Sequence, residues 1–359
     1  MNSILLLTSC SIFFSSIISL FFFRKVAKII NLVDVPSGRK EHSGQIPLVG
    51  GISIFVVVLS FISTQPEPLV NMTVYVSCSF ILLAMGVLDD YFDLDFRIRI
   101  GCQLLVTLIM IFSVDIVLND LSGVFSPHSL QIGSLGIFLT IVAVIGAINS
   151  FNMIDGIDGL LGGMATVSFG SMCLLFYLAG DSDNAFLCLV IVIATIPYML
   201  MNLGIPFGQR FKVFMGDAGS TVIGFTVVWL LIAGSQGEHA AFSAVTGLWV
   251  AAIPIMDAVS TIARRIKKRQ SPFVADREHL HHVLMRLGLS QHLALVFISC
   301  LALLFAVIGI LAEVFSVPSY IMFWLFFMIS VCYYLIMSRI WRVTVILRRK
   351  LGIKAKRRG

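Results

Sequence analysis

Residues 1–28 read MNSILLLTSCSIFFSSIISLFFFRKVAK: twenty-three positions without a charged side chain, then three cations within five. A cleavable secretory signal carries its positive charge ahead of the apolar run. Here the charge follows, so the segment is expected to be a retained first membrane span with its N-terminus outside. The same alternation of long apolar runs and short charged breaks continues along the chain. A span needs roughly 17 to 25 mostly apolar residues. Eleven segments qualify, near 4–22, 47–64, 70–88, 100–118, 132–151, 162–179, 184–201, 219–234, 241–260, 291–312 and 319–337. The sixth and seventh are divided only by AGDSDN.

The distribution of charge sets the side. With the N-terminus outside, the inner segments are 23–46, 89–99, 152–161, 202–218, 261–290 and 338–359. They hold 5, 2, 0, 2, 7 and 9 Lys plus Arg, which is every one of the 25 in the chain. The outer loops carry only acids, including Glu67, Asp120, Asp181, Asp183, Glu238 and Glu313. This is the positive-inside pattern. The expectation is an all-α, polytopic helical integral membrane protein with about 11 transmembrane helices, N-terminus periplasmic and C-terminus cytoplasmic. Residues 1–338 would form a single transmembrane catalytic domain and 339–359 a basic cytoplasmic tail.

Composition agrees. The 359 residues are 58% hydrophobic and 12% charged, against about 25% charged in soluble domains. The net charge of +6 comes from short clusters between spans, with no basic domain to wrap a duplex, so no nucleic-acid partner is expected. The seven cysteines all lie in apolar spans without CxxC spacing, which argues against disulfides or a thiolate metal site. The tail is either a surface anchor for anionic lipid or only an orientation signal.

The acids gather on the inner side. In GVLDDYFDLD, Asp89 and Asp90 are adjacent at a span end and Asp93 follows one turn on. Adjacent carboxylates at a hydrocarbon boundary repel each other and resist desolvation, costs that a cation relieves. In NSFNMIDGIDGL, Asp155 and Asp158 have i, i+3 spacing, expected to put both on one face of a helical turn. Asn149 and Asn152 add neutral donors and acceptors, and no Lys or Arg lies in that segment. In KVFMGDAGS, Asp217 stands between two glycines just ahead of an apolar span, suited to capping a helix or to sharing a phosphate oxygen with a metal. In the long inner loop, DREHLHHVLMRLG carries His279, His281 and His282 at what reads as a helix start. The HxHH spacing is not a standard zinc set. LVDVPSGRKEHSGQIPLVGG, residues 32–51, carries Asp34, Arg39, Lys40 and His42 in what its Pro and Gly make an ordered loop.

Carboxylates at a membrane face suit Mg²⁺, which takes oxygen ligands and bridges to substrate phosphates, and point to phosphoryl transfer. Walker, Rossmann and serine-hydrolase signatures are lacking. A transporter would place such groups nearer the midplane and often repeat a half. A structural scaffold leaves the acids unexplained.

LVDVPSGRKEHSGQIPLVGG, GVLDDYFD, AINSFNMIDGIDGLLGG, KVFMGDAGSTVIGF, IPIMDAVSTIARRIKKRQSPF and DREHLHHVLMRLG occur in that order over nearly the whole chain. In them the chain resembles the polyprenyl-phosphate N-acetylhexosamine-1-phosphate transferase superfamily, in particular its bacterial undecaprenyl-phosphate GlcNAc-1-phosphate branch. DREHLHH is unlike the PLHHH-type string of the muramyl-pentapeptide relatives. The resemblance implies an eleven-span enzyme of the bacterial cytoplasmic (inner) membrane that needs Mg²⁺, with Mn²⁺ as the alternative. It would move GlcNAc-1-phosphate from UDP-GlcNAc to undecaprenyl phosphate and release UMP, the first membrane step of O-antigen or enterobacterial-type surface polysaccharide synthesis. Another UDP-N-acetylhexosamine is the alternative donor, and a homodimer is allowed.

Carried over by motif, Asp89, Asp90, Asp155 and Asp158 are the implied catalytic acids. Asp217, with Asp90, is the implied metal ligand. His279, His281 and His282 fall near the nucleotide sugar, and Asn152, Asn202, Lys212 and Arg265 are grouped with them. Asp34, Lys40, His42 and Asp93 are further candidates.

Overall fold

A computed structural model describes residues 2–35, 44–64, 71–126, 128, 130–271 and 279–339. Long helices dominate, in chain order: α1 (Asn2–Ile29), α2 (Gly50–Ile62), α3 (Met72–Phe92), α4 (Phe96–Val114), α5 (Leu135–Ile154), α6 (Leu160–Ala179), α7 (Ser182–Asn202), α8 (Gly216–Ser235), α9 (Ala244–Val250), α10 (Ala252–Lys267), α11 (Leu280–Arg286), α12 (Gln291–Val314) and α13 (Ser319–Ser338). Two-residue strands β1 (Val33–Asp34) and β2 (Ile46–Pro47) pair antiparallel between α1 and α2. The chain is thus an all-α polytopic membrane protein, to which the described residues add this small ladder and two isolated bridges, Leu48 to Phe214 and Asp120 to Gln131.

Each of the eleven apolar segments is helical, but they are not eleven uninterrupted spans. Among the described residues nine helices are long and apolar enough to cross a membrane, or ten if one bent pair counts as a span. Helix α2 has 13 residues, about 20 Å at 1.5 Å per residue, short of a hydrocarbon core of about 30 Å. Helices α9 and α10 meet at an angle of 83°. Ala251 leaves helical geometry there, with φ −106° and ψ 24°. Pro254 follows and has no N–H to return to the Val250 carbonyl, so the helix restarts where a proline is tolerated, in its first turn.

Helix α8 is the axis of the bundle. It packs against α2, α3, α5, α6 and α9, and most of it is buried, whereas most of α13 is not. Small residues let backbones touch. A Cβ on Gly51 would fall on the Gly219 backbone, and one on Gly86 on that of Ala218. Both contacts press α2 and α3 onto the first turn of α8.

That end of the bundle holds the sequence-predicted acids. The C-terminal ends of α3, α5 and α7 meet the N-terminal ends of α2, α6 and α8 there. Lys40 and His42, with Arg39, lie outside the described residues, as does the tail from 340 to 359.

Candidate active site

The first turn of α8 organises the site. An α-helix begins with four amide N–H groups that lack intrahelical partners. The carboxylate of Asp90, near the end of α3, accepts from Asp217 N at 2.8 Å and Ala218 N at 3.3 Å. The cap that a Ser or Asp usually supplies from the preceding residue comes here from another helix. Gly216 turns into α8 with φ +76°, and the Asp90 carboxylate fills the space a Cβ would need. Asp217 then projects from the first turn, with Oδ1 accepting from Asn152 Nδ2 at 2.6 Å. Asn152 also donates to Ser220 Oγ at 2.9 Å.

Adjacency in sequence does not make Asp89 and Asp90 a pair in space. Asp89 is buried and turns toward the start of α4, accepting from Leu94 N in the preceding turn at 2.9 Å and pairing with Arg99 of α4 at 3.1 Å. The mutual repulsion expected at the span end is met by these protein donors. Asp93 caps α3 in a left-handed conformation, φ 52°, its N–H donating to the Asp89 carbonyl at 2.8 Å and its side chain exposed.

Asp155 and Asp158 do not share a helical turn, as their spacing suggested. Helix α5 ends at Ile154, and the chain crosses to α6 as a loop closed by Gly159 at φ +78°. Asp158 pairs with Lys212 at 2.6 Å, a partner 54 residues away. The Lys212 ammonium also lies 5.2 Å from the Phe214 ring centroid. Asn202 uses its whole amide on the backbone, accepting from Gly159 N at 2.5 Å and donating to Val213 O at 2.8 Å. It is a clamp between the two acidic loops. Asp155 is left exposed. The dense surroundings, then the charges of Asp217 and Asp158, push its carboxyl up to about 7. Because water reaches the group, those charges are partly screened.

The histidines arrive on α11. Its first turn follows His279, as the sequence suggested. His279 Nδ1 contacts Asp257 Oδ2 at 2.7 Å, and Asp257 also accepts from Leu280 N at 3.1 Å and Tyr333 Oη at 2.7 Å. The His281 ring stacks on His279 at 5.8 Å and 3° and lies against Gly156, which joins this cluster to the Asp155 loop. Both His281 ring nitrogens are buried without a hydrogen-bond partner among the described residues. Burial, then the charges of His282 and His279, push it down to about 3. His281 is therefore neutral at physiological pH, with one N–H to donate rather than two. Arg265 is buried near the end of α10, next to Arg264, which donates to Thr261 Oγ1 at 3.0 Å.

Asp257 and Tyr333 were missed by sequence reasoning. A lone acid in IPIMDAVST is an available signal, since intramembrane acids are rarely idle. Tyr333 has none, because only folding brings α13 to α10.

Asp34 lies in β1, and the following ladder strand is tied to the α8 loop by Phe214 N to Pro47 O at 2.9 Å. The α2 amides of Gly50 and Gly51 are in turn satisfied by the Phe214 and Met215 carbonyls, at 2.9 and 3.1 Å. Among the described residues, no three His, Cys, Asp or Glu side chains form a ready metal cage. What the site presents is a cluster of hard oxygen donors around Asp217, whose charge acts on Asp89, Asp90 and Asp155.

Residues 72–235, which contain the Asp89–Asp90 pair, the Asp155 loop and the start of α8, match the model of glycosyl transferase family 4. Close relatives extend the likeness to the whole chain. A Haemophilus influenzae protein named undecaprenyl-phosphate alpha-N-acetylglucosaminyl 1-phosphate transferase is 43% identical over 96% of this chain and 97% of its own. The chain belongs to this family. Proteins of the same name from Pasteurella multocida and Escherichia coli K12 are 43% and 42% identical, covering 98% and 97% of this chain and 99% and 95% of their own. The family match ends at Ser235, so the Asp257–His279 cluster lies beyond the matched core but within the length these relatives share.

Proposed function

We propose that the protein is a phosphoglycosyl transferase of the bacterial inner membrane. It transfers GlcNAc-1-phosphate from UDP-GlcNAc to undecaprenyl phosphate, giving undecaprenyl-diphosphate-GlcNAc and UMP, the first membrane step of O-antigen-type polysaccharide synthesis. The observation that carries this reading is the arrangement around the first turn of α8. Asp217, held by Asp90 and Asn152, faces a loop in which Asp158 is paired and, among the described residues, Asp155 is not.

In the reaction, an oxygen of the lipid phosphate attacks the β-phosphorus of UDP-GlcNAc. The bond from that phosphorus to the bridging oxygen breaks, and UMP leaves with the oxygen. The acceptor phosphate is largely dianionic at neutral pH, its second pKa being about 6, so a strong base is not required. Asp90 has both oxygens committed to α8 amides and acts by fixing Asp217. Asp155, ionising near neutrality, is the carboxylate free to orient or take a residual proton. The donor set of carboxylate oxygens fits Mg²⁺, or Mn²⁺ in its place. Asp217 is the residue we assign to hold it, and when bound it neutralises the diphosphate. His279, His282, Lys212 and Arg265 supply positive charge or donors on the nucleotide-sugar side.

In this reading the N-terminus is outside and the C-terminus inside. There are eleven membrane segments when α2 and the bent α9–α10 pair each count as one. Residues 1–338 form one catalytic domain, and a homodimer would carry two complete sites.

Purified protein with undecaprenyl phosphate, Mg²⁺ and UDP-[³H]GlcNAc should move label into the lipid phase with one UMP per transfer. EDTA and Asp217→Asn should each abolish it. Parallel UDP-GalNAc reactions rank the donors, and no lipid label with either sugar refutes the assignment.

A further inference from the structure

Three cations converge at the end of α1, with no acid among the described residues to balance them. Arg24 is buried, at 9% exposure. One of its terminal nitrogens donates to the Arg210 carbonyl, 186 residues away. Its guanidinium lies 4.9 Å from the Phe211 ring centroid and that of Arg210 lies 6.0 Å from it, so both cations share one ring. Lys28, one turn along α1, stands in the field of both. Among the described residues none of the three pairs with a carboxylate, and Arg24 Nε is buried without a partner.

The positive-inside rule explains an exposed cation such as Lys25. It does not explain a buried guanidinium held against a second arginine from a distant loop. Like charges brought together under partial burial raise the free energy unless an anion joins them. The loop is docked firmly enough to keep them there, because Phe21, Phe207 and Phe211 form an edge-to-face trio. Ile205 and Phe207 are about half exposed beside the cations, the apolar-plus-basic combination of a surface that meets a membrane. Arginine is suited to phosphate because its planar donors match that geometry.

We propose that Arg24, Lys28 and Arg210 form a binding site for a phosphate group carried on a membrane lipid. The site shares a loop with the acidic cluster, since Lys212, two residues after Arg210, holds Asp158. A lipid phosphate bound there would be retained at the inner membrane surface next to the acidic loops. If the lipid is the acceptor substrate, the inference rests on the function proposed above; if it is an anionic phospholipid, it stands alone.

The test is native mass spectrometry of the full-length protein in detergent, titrated separately with undecaprenyl phosphate and with phosphatidylglycerol. Lys28 and Arg210 are exposed, so Lys28→Gln/Arg210→Gln should fold normally; Arg24→Gln is the stronger variant and Lys25→Gln the charge control. The double variant should weaken at least one lipid by about tenfold or more, as expected for lost charge-assisted contacts, while Lys25→Gln should not. Selective loss of undecaprenyl phosphate identifies the acceptor, and its KM should then rise with that for UDP-GlcNAc unchanged. Loss of phosphatidylglycerol as well identifies a general lipid-phosphate site. Unaltered binding of both lipids, or an equal effect of Lys25→Gln, overturns the proposal. The binding measurement needs no turnover, so it is decided even where no sugar transfer is observed.

Discussion

Asp155 and Asp158 stand three residues apart in one glycine-bounded loop and meet different chemistry. Lys212 neutralises Asp158, whereas Asp155 sits among acids and has its carboxyl pushed up to about 7 from an ordinary 3.8. Between those two values the folded chain binds more protons at this position than the unfolded chain does. Its ionisation therefore lowers stability as pH rises through that window. Activity should move the other way, because the ionised form is the one that can orient the acceptor. We expect log kcat/KM to fall with a slope near one as pH drops below about 7. Asp155→Asn should remove that inflection and lower the rate. The acceptor phosphate also titrates, near 6, so an inflection unchanged in Asp155→Asn would assign it to the lipid instead. His281, already neutral, should contribute no inflection in this range.

At the scale of elements, the site depends on how closely α2 and α3 approach the start of α8. Gly51 and Gly86 have no room for a methyl group, while Gly170 on α6 has nothing within 4 Å of an added Cβ. Gly51→Ala should destabilise by about 1–3 kcal/mol through overpacking. Gly170→Ala should stabilise by about 0.5–1 kcal/mol, because glycine costs a helix interior that much. Thermal unfolding of the purified protein should thus show shifts of opposite sign. Asp90→Ala removes the acceptor for two α8 amides and should cost about 0.5–2 kcal/mol, together with the placement of Asp217. Retention of both stability and activity in that variant would exclude the capping role.

The whole molecule is a one-sided device. Asp90, Asp217, Asp158 and His279 lie at one end of the bundle, while Asp120, Asp181 and Glu313 lie at the other. On a background with the seven cysteines removed, a cysteine at Asp183 should react with an impermeant maleimide in intact cells. One at Arg97 should react only after permeabilisation, and the reverse result would invert the topology.

Much of this was legible in the chain. Apolar run length and the placement of Lys and Arg act residue by residue, through partitioning into lipid and attraction to the inner side. They therefore determined the membrane class, the helical segments and the gathering of Asp89, Asp90, Asp155, Asp158 and Asp217 at one end of the bundle. Spacing could not say which of those acids is satisfied. The Asp158–Lys212 pair, the capping of α8 by Asp90 and the Asp257–His279–Tyr333 contacts span separations of 54, 127, 22 and 76 residues. Each depends on how the helices and the loops between them are placed against one another, and that placement is set by side-chain packing across the bundle. The break at Ala251 and the short α2 were likewise decided in three dimensions, where backbone geometry and partner helices outweigh mean hydropathy.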